Sequence, residues 1–324
     1  MNKQRKAWRL VLDSLERNIP VMLLYVLESR GSSPGRQGFF MVVDLHGNME
    51  GSVGGGIMEH KFAEMAKDRL AQRADGPILR KQVHDKEAAK DRSGMICSGE
   101  QTILLYPVPA ADVLTVRDIL KCLEQNGNGM LQLSPEGLAF SEQPPESDFR
   151  FYMRSEKDWR YEEKTGNKNH LYIIGGGHCA LALSRIMQPM DFSIQLFEHR
   201  SELHTLEQNE FVREKIFVKD YDELRERIPS CGNNHYVIVM TLGYRMDDQA
   251  VRALLGKRLR YFGVLGSKAK IEKMFARYRA DGVAEDWLQN IHSPAGIPIK
   301  SQTPEEIAVS IAAEIILEKN RDKP

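Results

Sequence analysis

The segment Leu171-Tyr172-Ile173-Ile174 runs directly into Gly175-Gly176-Gly177-His178-Cys179-Ala180. A short apolar strand followed by Gly-x-Gly-x-x-Ala at the mouth of a helix specifies a dinucleotide-type βαβ unit. Gly175 allows the tight turn, Gly177 lets the backbone approach a pyrophosphate, and Ala180 keeps the helix close to the sheet. The unpaired N–H groups and the dipole at the helix start favour an anion there. An acid is expected at the end of the second strand, and Glu198 stands 23 residues after Gly175. Glu198 is a candidate acceptor for a ribose 2′-hydroxyl, whereas Arg200 is a candidate for a 2′-phosphate, so NAD and NADP both remain open.

The pattern around this motif sets the domain organisation. After the linker-like Thr165-Gly166-Asn167-Lys168-Asn169, strands at Leu171–Ile174, Ser193–Phe197, Tyr236–Thr241 and Tyr261–Leu265 alternate with helices at Ala180–Met187, about Asp248–Leu255 and Lys268–Arg279. That alternation predicts a Rossmann-like, doubly wound parallel sheet over residues 166–324. Residues 1–165 read as a separate mixed α/β domain. Its helices are expected at Lys3–Arg17, Ile57–Arg73 and Asp112–Gln125, its strands at Val21–Leu27, Phe39–Asp44, Ile78–Val83 and Gln101–Pro107, and hairpins at Met130–Phe140 and Phe149–Glu162. The fold class is therefore α/β in two domains.

Charge excludes several functions. With 45 basic and 45 acidic residues the formal net charge is zero, so no global field drives binding to nucleic acid or an anionic membrane. The apolar runs are strand-sized, well short of the ~18 residues of a membrane span, and no apolar leader opens the chain; a cytoplasmic protein is expected. Cys97, Cys122, Cys179 and Cys231 are dispersed and form neither a disulfide framework nor a zinc motif. They also cannot supply two four-cysteine iron–sulfur clusters.

Two further glycine-rich turns lie in the first domain, at Gly31-Ser32-Ser33-Pro34 and Gly51-Ser52-Val53-Gly54-Gly55-Gly56. Successive glycine N–H groups can form an anion nest, and the serine hydroxyls add donors. Glu59 follows in the first turn of the next helix, positioned either to cap that turn or to accept from a ligand N–H. Cys97, within Gly94-Met95-Ile96-Cys97-Ser98-Gly99-Glu100, is a candidate thiolate. In the second domain Gly266-Ser267-Lys268 offers another anion-friendly turn. His292 sits in a loop as either a ligand group or a backbone brace. Thr303-Pro304-Glu305-Glu306 reads as a capping box starting the last helix.

Taken together, Gly31–Pro34, Gly51–Glu59, Cys97-Ser98-Gly99, Gly175–Ala180, Gly263–Lys268, His292-Ser293-Pro294-Ala295-Gly296 and Thr303–Ile315 resemble the xanthine dehydrogenase accessory factor family, the XdhC/CoxI-like molybdenum cofactor insertion proteins. The resemblance implies a chaperone-like protein that binds the molybdenum cofactor (molybdopterin), supports its sulfuration and delivers it to a xanthine dehydrogenase-type molybdoenzyme. It implies a sulfur donor as a second partner and a homodimer. It also implies a cofactor-binding maturation factor rather than a catalyst, with the Cys97 thiolate either contacting molybdenum or guarding the ligand exchange. Three positions depart from the family pattern: Ile57 where a cysteine is common, Ser98 where glycine is common, and Leu242 where histidine is common. Ile57 removes the second cysteine, so the resemblance supports no two-cysteine mechanism here. The alternative is an NAD(P)-dependent oxidoreductase using Gly175, Gly177 and Glu198.

Overall fold

The computed structural model describes residues 3–83, 99–190 and 192–321, which divide into two units, Met1–Gly166 and Asn167–Pro324. In the first unit, helix α1 (Lys3–Glu16) precedes β1 (Val21–Gly31), whose apolar run Val21–Leu27 is buried throughout. Strand side chains alternate between faces, so a continuous apolar run needs cover on both sides. Leu23, Tyr25 and Leu27 pack into one core, Met22, Leu24 and Val26 into another. β2 (Phe40–Asp44) and β3 (Met49–Gly51) continue the sheet on one side of β1. Helix α2 (Gly56–Ala71) then precedes β4 (Ile78–Val83) and β5 (Gly99–Pro107). The antiparallel order is β3-β2-β1-β5-β4.

Helix α2 supplies Met58, Phe62, Ala66 and Leu70 to the core on one face. The opposite face is covered by α1, by α3 (Val113–Glu124) and by a second antiparallel sheet of β6 (Met130–Ser134), β7 (Gly137–Ser141), β8 (Phe149–Ser155) and β9 (Asp158–Lys164). The expected hairpins thus form one sheet in the order β7-β6-β9-β8. The polar Glu163, 2% exposed, is tolerated in that core because the hydroxyls of Tyr25 and Tyr161 donate to its carboxylate.

The second unit contains β10 (Asn169–Ile174), α4 (His178–Met187), β11 (Phe192–Glu198), α5 (His204–Glu207), β12 (Glu214–Phe217), α6 (Leu224–Arg227), β13 (Cys231–Val239), α7 (Tyr244–Ala253), β14 (Arg258–Val264), α8 (Lys268–Ala280), α9 (Glu285–Gln289) and α10 (Pro304–Asn320). All strand pairs are parallel in the order β12-β11-β10-β13-β14. Successive strands are added outward on one side of β10 as far as β12 and then on its other side from β13, and this switch point between β10 and β13 places the ligand crevice of such folds beyond the C-terminal end of β10. Among the described residues no helix is long and apolar enough to cross a membrane.

Several elements differ from the sequence reading. β3 and β12 are three and four residues long and too polar to show an apolar period. Helix α7 starts at Tyr244, earlier than expected, because Gly243 at φ 90° turns the chain and buried Asp247 holds the first turn. The capping box is present: the Thr303 hydroxyl accepts from Glu306 N, and the Glu306 carboxylate accepts from Thr303 N.

Candidate nucleotide cleft and glycine-loop cluster

At the end of β10, Gly175 adopts φ 107°, and a Cβ there would stand 2.4 Å from the carbonyl oxygen of Met240. Only glycine fits between the two strand ends. Gly176 donates its N–H to Glu198 Oε2 at 2.8 Å and accepts from the Thr205 hydroxyl at 2.5 Å. Gly177 is the N-cap of α4, and nothing lies within 4 Å of where its Cβ would be. The turn is therefore braced at its first two glycines and open at its third. Ala180 is fully buried against the sheet. A cleft of about 360 Å³ opens beside Gly177, lined also by His178, Arg200, Leu203, His204 and Met240–Leu242.

Glu198 stands at the end of β11 as expected, but its carboxylate is turned inward and is only 1% exposed. Its oxygens accept from the N–H groups of Gly176, His199 and Arg200, from Arg200 Nε and Nη2, and from the Tyr221 hydroxyl. Burial by itself would raise its pKa. The Arg200 guanidinium and the backbone donors of Gly176 and Arg200 outweigh burial and hold it at about 2. This carboxylate is saturated by the protein, so a ribose hydroxyl would first have to displace one of these donors.

The turn after β14 joins the same edge. Ser267 caps α8 by accepting from Lys270 N at 3.3 Å. The charge facing inward from this helix is Lys270 rather than Lys268: its ammonium pairs with the buried Asp247 and donates to Leu265 O at 3.1 Å. Asp247 Oδ1 accepts from Thr241 N and the Thr241 hydroxyl at 3.0 and 2.6 Å. The Gly266-Ser267 turn is thereby tied to Thr241 on the cleft wall. His292 serves as a brace: its backbone pairs with Phe262 and Val264, and its Nδ1 lies 3.3 Å from Glu314 Oε1. Burial works to raise the Glu314 pKa, but His292, Tyr261 and Gly296 N keep it below the usual range.

In the first unit the glycine motifs converge. Gly31 and Gly99 are register partners on β1 and β5. A Cβ on Gly99 would come within 2.6 Å of Ser33 N and 2.7 Å of Ser32 C, and one on Gly54 within 2.6 Å of Gly35 N. Close backbone approach thus accounts for glycine at both positions. Cys97 and Ser98 lie outside the described residues, directly before Gly99. Ser33 is buried and donates to Gly35 O at 3.0 Å.

Glu59 takes the capping role: its Oε1 accepts from the Ser52 hydroxyl, from Val53 N at 3.2 Å and from Gly55 N at 2.8 Å. The anion held in this nest is the protein's own carboxylate. Gly56 (φ 64°) remains open, with nothing within 4 Å of a built Cβ. Against the same loops lies Gln101, 1% exposed, whose Oε1 accepts from Gly35 N at 3.2 Å while its buried Nε2 has no partner among the described residues. Its ladder partner Gln82 likewise has a buried Oε1 without a donor among the described residues. Sequence reasoning missed both glutamines, because a polar residue on a strand becomes informative only once pairing and burial are known. Among the described residues no group of three or more His, Cys, Asp or Glu could hold a metal ion.

A parallel five-stranded sheet with a glycine turn, an open helix start and an adjoining cleft defines a Rossmann-type domain, here joined to an antiparallel α/β unit. Residues 171–315 match the XdhC Rossmann domain family, and residues 14–81 match the XdhC and CoxI family. The chain belongs to the XdhC/CoxI family. The uncharacterised protein YqeB of Escherichia coli (strain K12) is 23% identical over 94% of this chain and 44% of its own length. A Bacillus subtilis (strain 168) protein named as a probable xanthine dehydrogenase subunit is 32% identical over 26% of this chain and 23% of its own length. The chain thus spans less than half the length of these curated relatives. The crystal structure of a xanthine dehydrogenase from Bacillus halodurans shares the fold, with a TM-score of 0.70 at 21% identity, covering 100% of this chain and 97% of that one.

Proposed function

We propose that the protein is an accessory factor that binds the molybdenum cofactor, supports its sulfuration with a sulfur donor, and delivers it to a xanthine dehydrogenase-type molybdenum hydroxylase. In this reading the Rossmann unit binds a dinucleotide, the chain acts in the cytoplasm, and two copies form the working unit. The observation that carries the reading is the convergence of the Gly31–Gly35, Gly51–Gly56 and Gly99–Gln101 segments at one end of the first sheet, with an unsatisfied buried amide beside them. A buried N–H and a buried carbonyl left unpaired cost about 1–3 kcal/mol each, so a ligand that completes them would recover that cost. A pterin edge offers both an acceptor and N–H donors, matching Gln101 Nε2 and Gln82 Oε1. Membership of the XdhC/CoxI family, and a relative named for xanthine dehydrogenase, support the partner class.

In this site Gln101 and Gln82 would read the pterin, and Gly56 and Ser32 would leave room for the rest of the ligand. Cys97, two residues before Gly99, would supply the thiolate toward the metal. When bound, the cofactor would supply the molybdenum centre on which sulfuration acts, and the residues named here would hold and shield it. Gln101→Met is expected to weaken cofactor retention about tenfold (~1.4 kcal/mol) with little change in stability, since the lost Gly35 bond is offset by removal of an unpaired N–H. Equilibrium dialysis with metal analysis checks this, and unchanged retention would remove the glutamine from the site. Delivery is tested by mixing cofactor-loaded protein with a cofactor-free molybdenum hydroxylase. Recovered hydroxylase activity supports the role, and activation no faster than with free cofactor contradicts it.

A further inference from the structure

We propose that the Rossmann cleft selects a 2′-phosphorylated dinucleotide of the NADP class over its unphosphorylated counterpart, with Arg200 as the discriminating residue. This rests on the dinucleotide reading above and adds which dinucleotide is taken.

In a cleft that accepts NAD, a carboxylate at the end of the second strand faces the ribose, accepts from its hydroxyls and repels a 2′-phosphate. Here that carboxylate is present but withdrawn. Glu198 is 1% exposed, and the six donors of Gly176, His199, Arg200 and Tyr221 occupy its lone pairs. The guanidinium of Arg200 lies between Glu198 and the cleft: it lines the cleft, and its side chain is 29% exposed. Nε and Nη2 are fixed on Glu198, while Nη1 has no partner among the described residues.

Arg200 is therefore held rigid by one carboxylate with free donors left for a second anion, an arrangement suited to a phosphate. The Arg200–Glu198 pair is neutral overall, but Coulomb energy falls with distance, so the nearer, wetter cation sets the sign of the field at the ribose position. Among the described residues His178 and His204 are the other titratable side chains on the cleft wall, and no carboxylate lines it. Gly177 leaves the pyrophosphate position open at the opposite end. A ligand with two separated phosphate groups satisfies both ends, whereas a free ribose 2′-hydroxyl would find no carboxylate acceptor among the described residues that line the cleft.

The test is titration of the full chain with NADP⁺, NAD⁺ and 2′,5′-ADP by calorimetry at low and high salt. NADP⁺ is expected to bind at least tenfold tighter than NAD⁺, 2′,5′-ADP to compete, and the preference to shrink as salt rises. Arg200→Ala should abolish the preference and bare Glu198 to the ribose, so that NAD⁺ binds as well as or better than NADP⁺. Arg200→Lys keeps a cation beside Glu198 and serves as the variant that folds if alanine does not. It should retain a reduced preference, because a point charge replaces the fork. Equal affinity of the wild type for NADP⁺ and NAD⁺ would overturn the selection while leaving the dinucleotide reading standing. Failure of both to bind would overturn the two together.

Discussion

Glu198→Ala is expected to destabilise the second unit by roughly 3–5 kcal/mol, the cost of breaking a buried ion pair and stranding the donors around it. The carboxylate bonds the first glycine turn, the β11 exit and Tyr221 at once, so its loss releases Gly176, His199 and Arg200 together. The effect also carries a pH signature. With a folded pKa of about 2 against an ordinary 4.5, the group contributes stability that is complete above pH 4.5 and is lost as pH falls from there through 2. A shift of that size corresponds to ~3 kcal/mol, of which ~2 kcal/mol should disappear between pH 7 and pH 3. Glu198→Gln, which cannot ionise, isolates it. The stability gap between wild type and this variant, read by hydrogen exchange in peptides from the second unit, should narrow by that amount at pH 3. A gap unchanged between the two pH values would show that the ionised carboxylate is not what holds the turn.

The two outer glycines of the fingerprint should behave oppositely. Gly175→Ala places a Cβ 2.4 Å from Met240 O and 2.8 Å from Thr241 Cα, both backbone atoms, at φ 107°. Positive φ and overpacking each cost about 1–3 kcal/mol, so ~3–5 kcal/mol of destabilisation is expected, with opening of the β10–β13 junction. Gly177→Val enters open space at an ordinary φ of −74° and should change stability by no more than ~0.5 kcal/mol. Its branched side chain nevertheless occupies the pyrophosphate approach, so dinucleotide binding should be abolished. Thermal melts beside ligand titrations decide the matter. A Gly175→Ala protein within ~1 kcal/mol of wild type would refute the packing argument, and retained affinity in Gly177→Val would make the fingerprint structural only.

Much of the second unit was legible because its signals are local. A strand, a glycine turn and an acid at the next strand end are adjacent in sequence, and the capping box at Thr303 is read from four residues. Less legible was which partner each group would take. Glu198 and Glu59 both stood where a ligand could meet them, yet both are consumed by neighbouring backbone N–H groups. A carboxylate beside a nest satisfies that nest at no entropic cost of association, and sequence spacing cannot distinguish this from ligand binding. The inward role of Lys270, rather than Lys268, depended on which face of α8 met buried Asp247. Gln82 and Gln101 needed the β4–β5 register before their burial meant anything.

The central claim is that the glycine-loop end of the first unit holds the molybdenum cofactor. Anaerobic equilibrium dialysis of the purified chain against the cofactor, with molybdenum counted per chain and Cys97→Ser measured in parallel, tests it most directly. The account predicts stoichiometric retention at micromolar concentration, weakened in the variant without loss of fold. Absence of molybdenum on the wild-type chain at that concentration would contradict it.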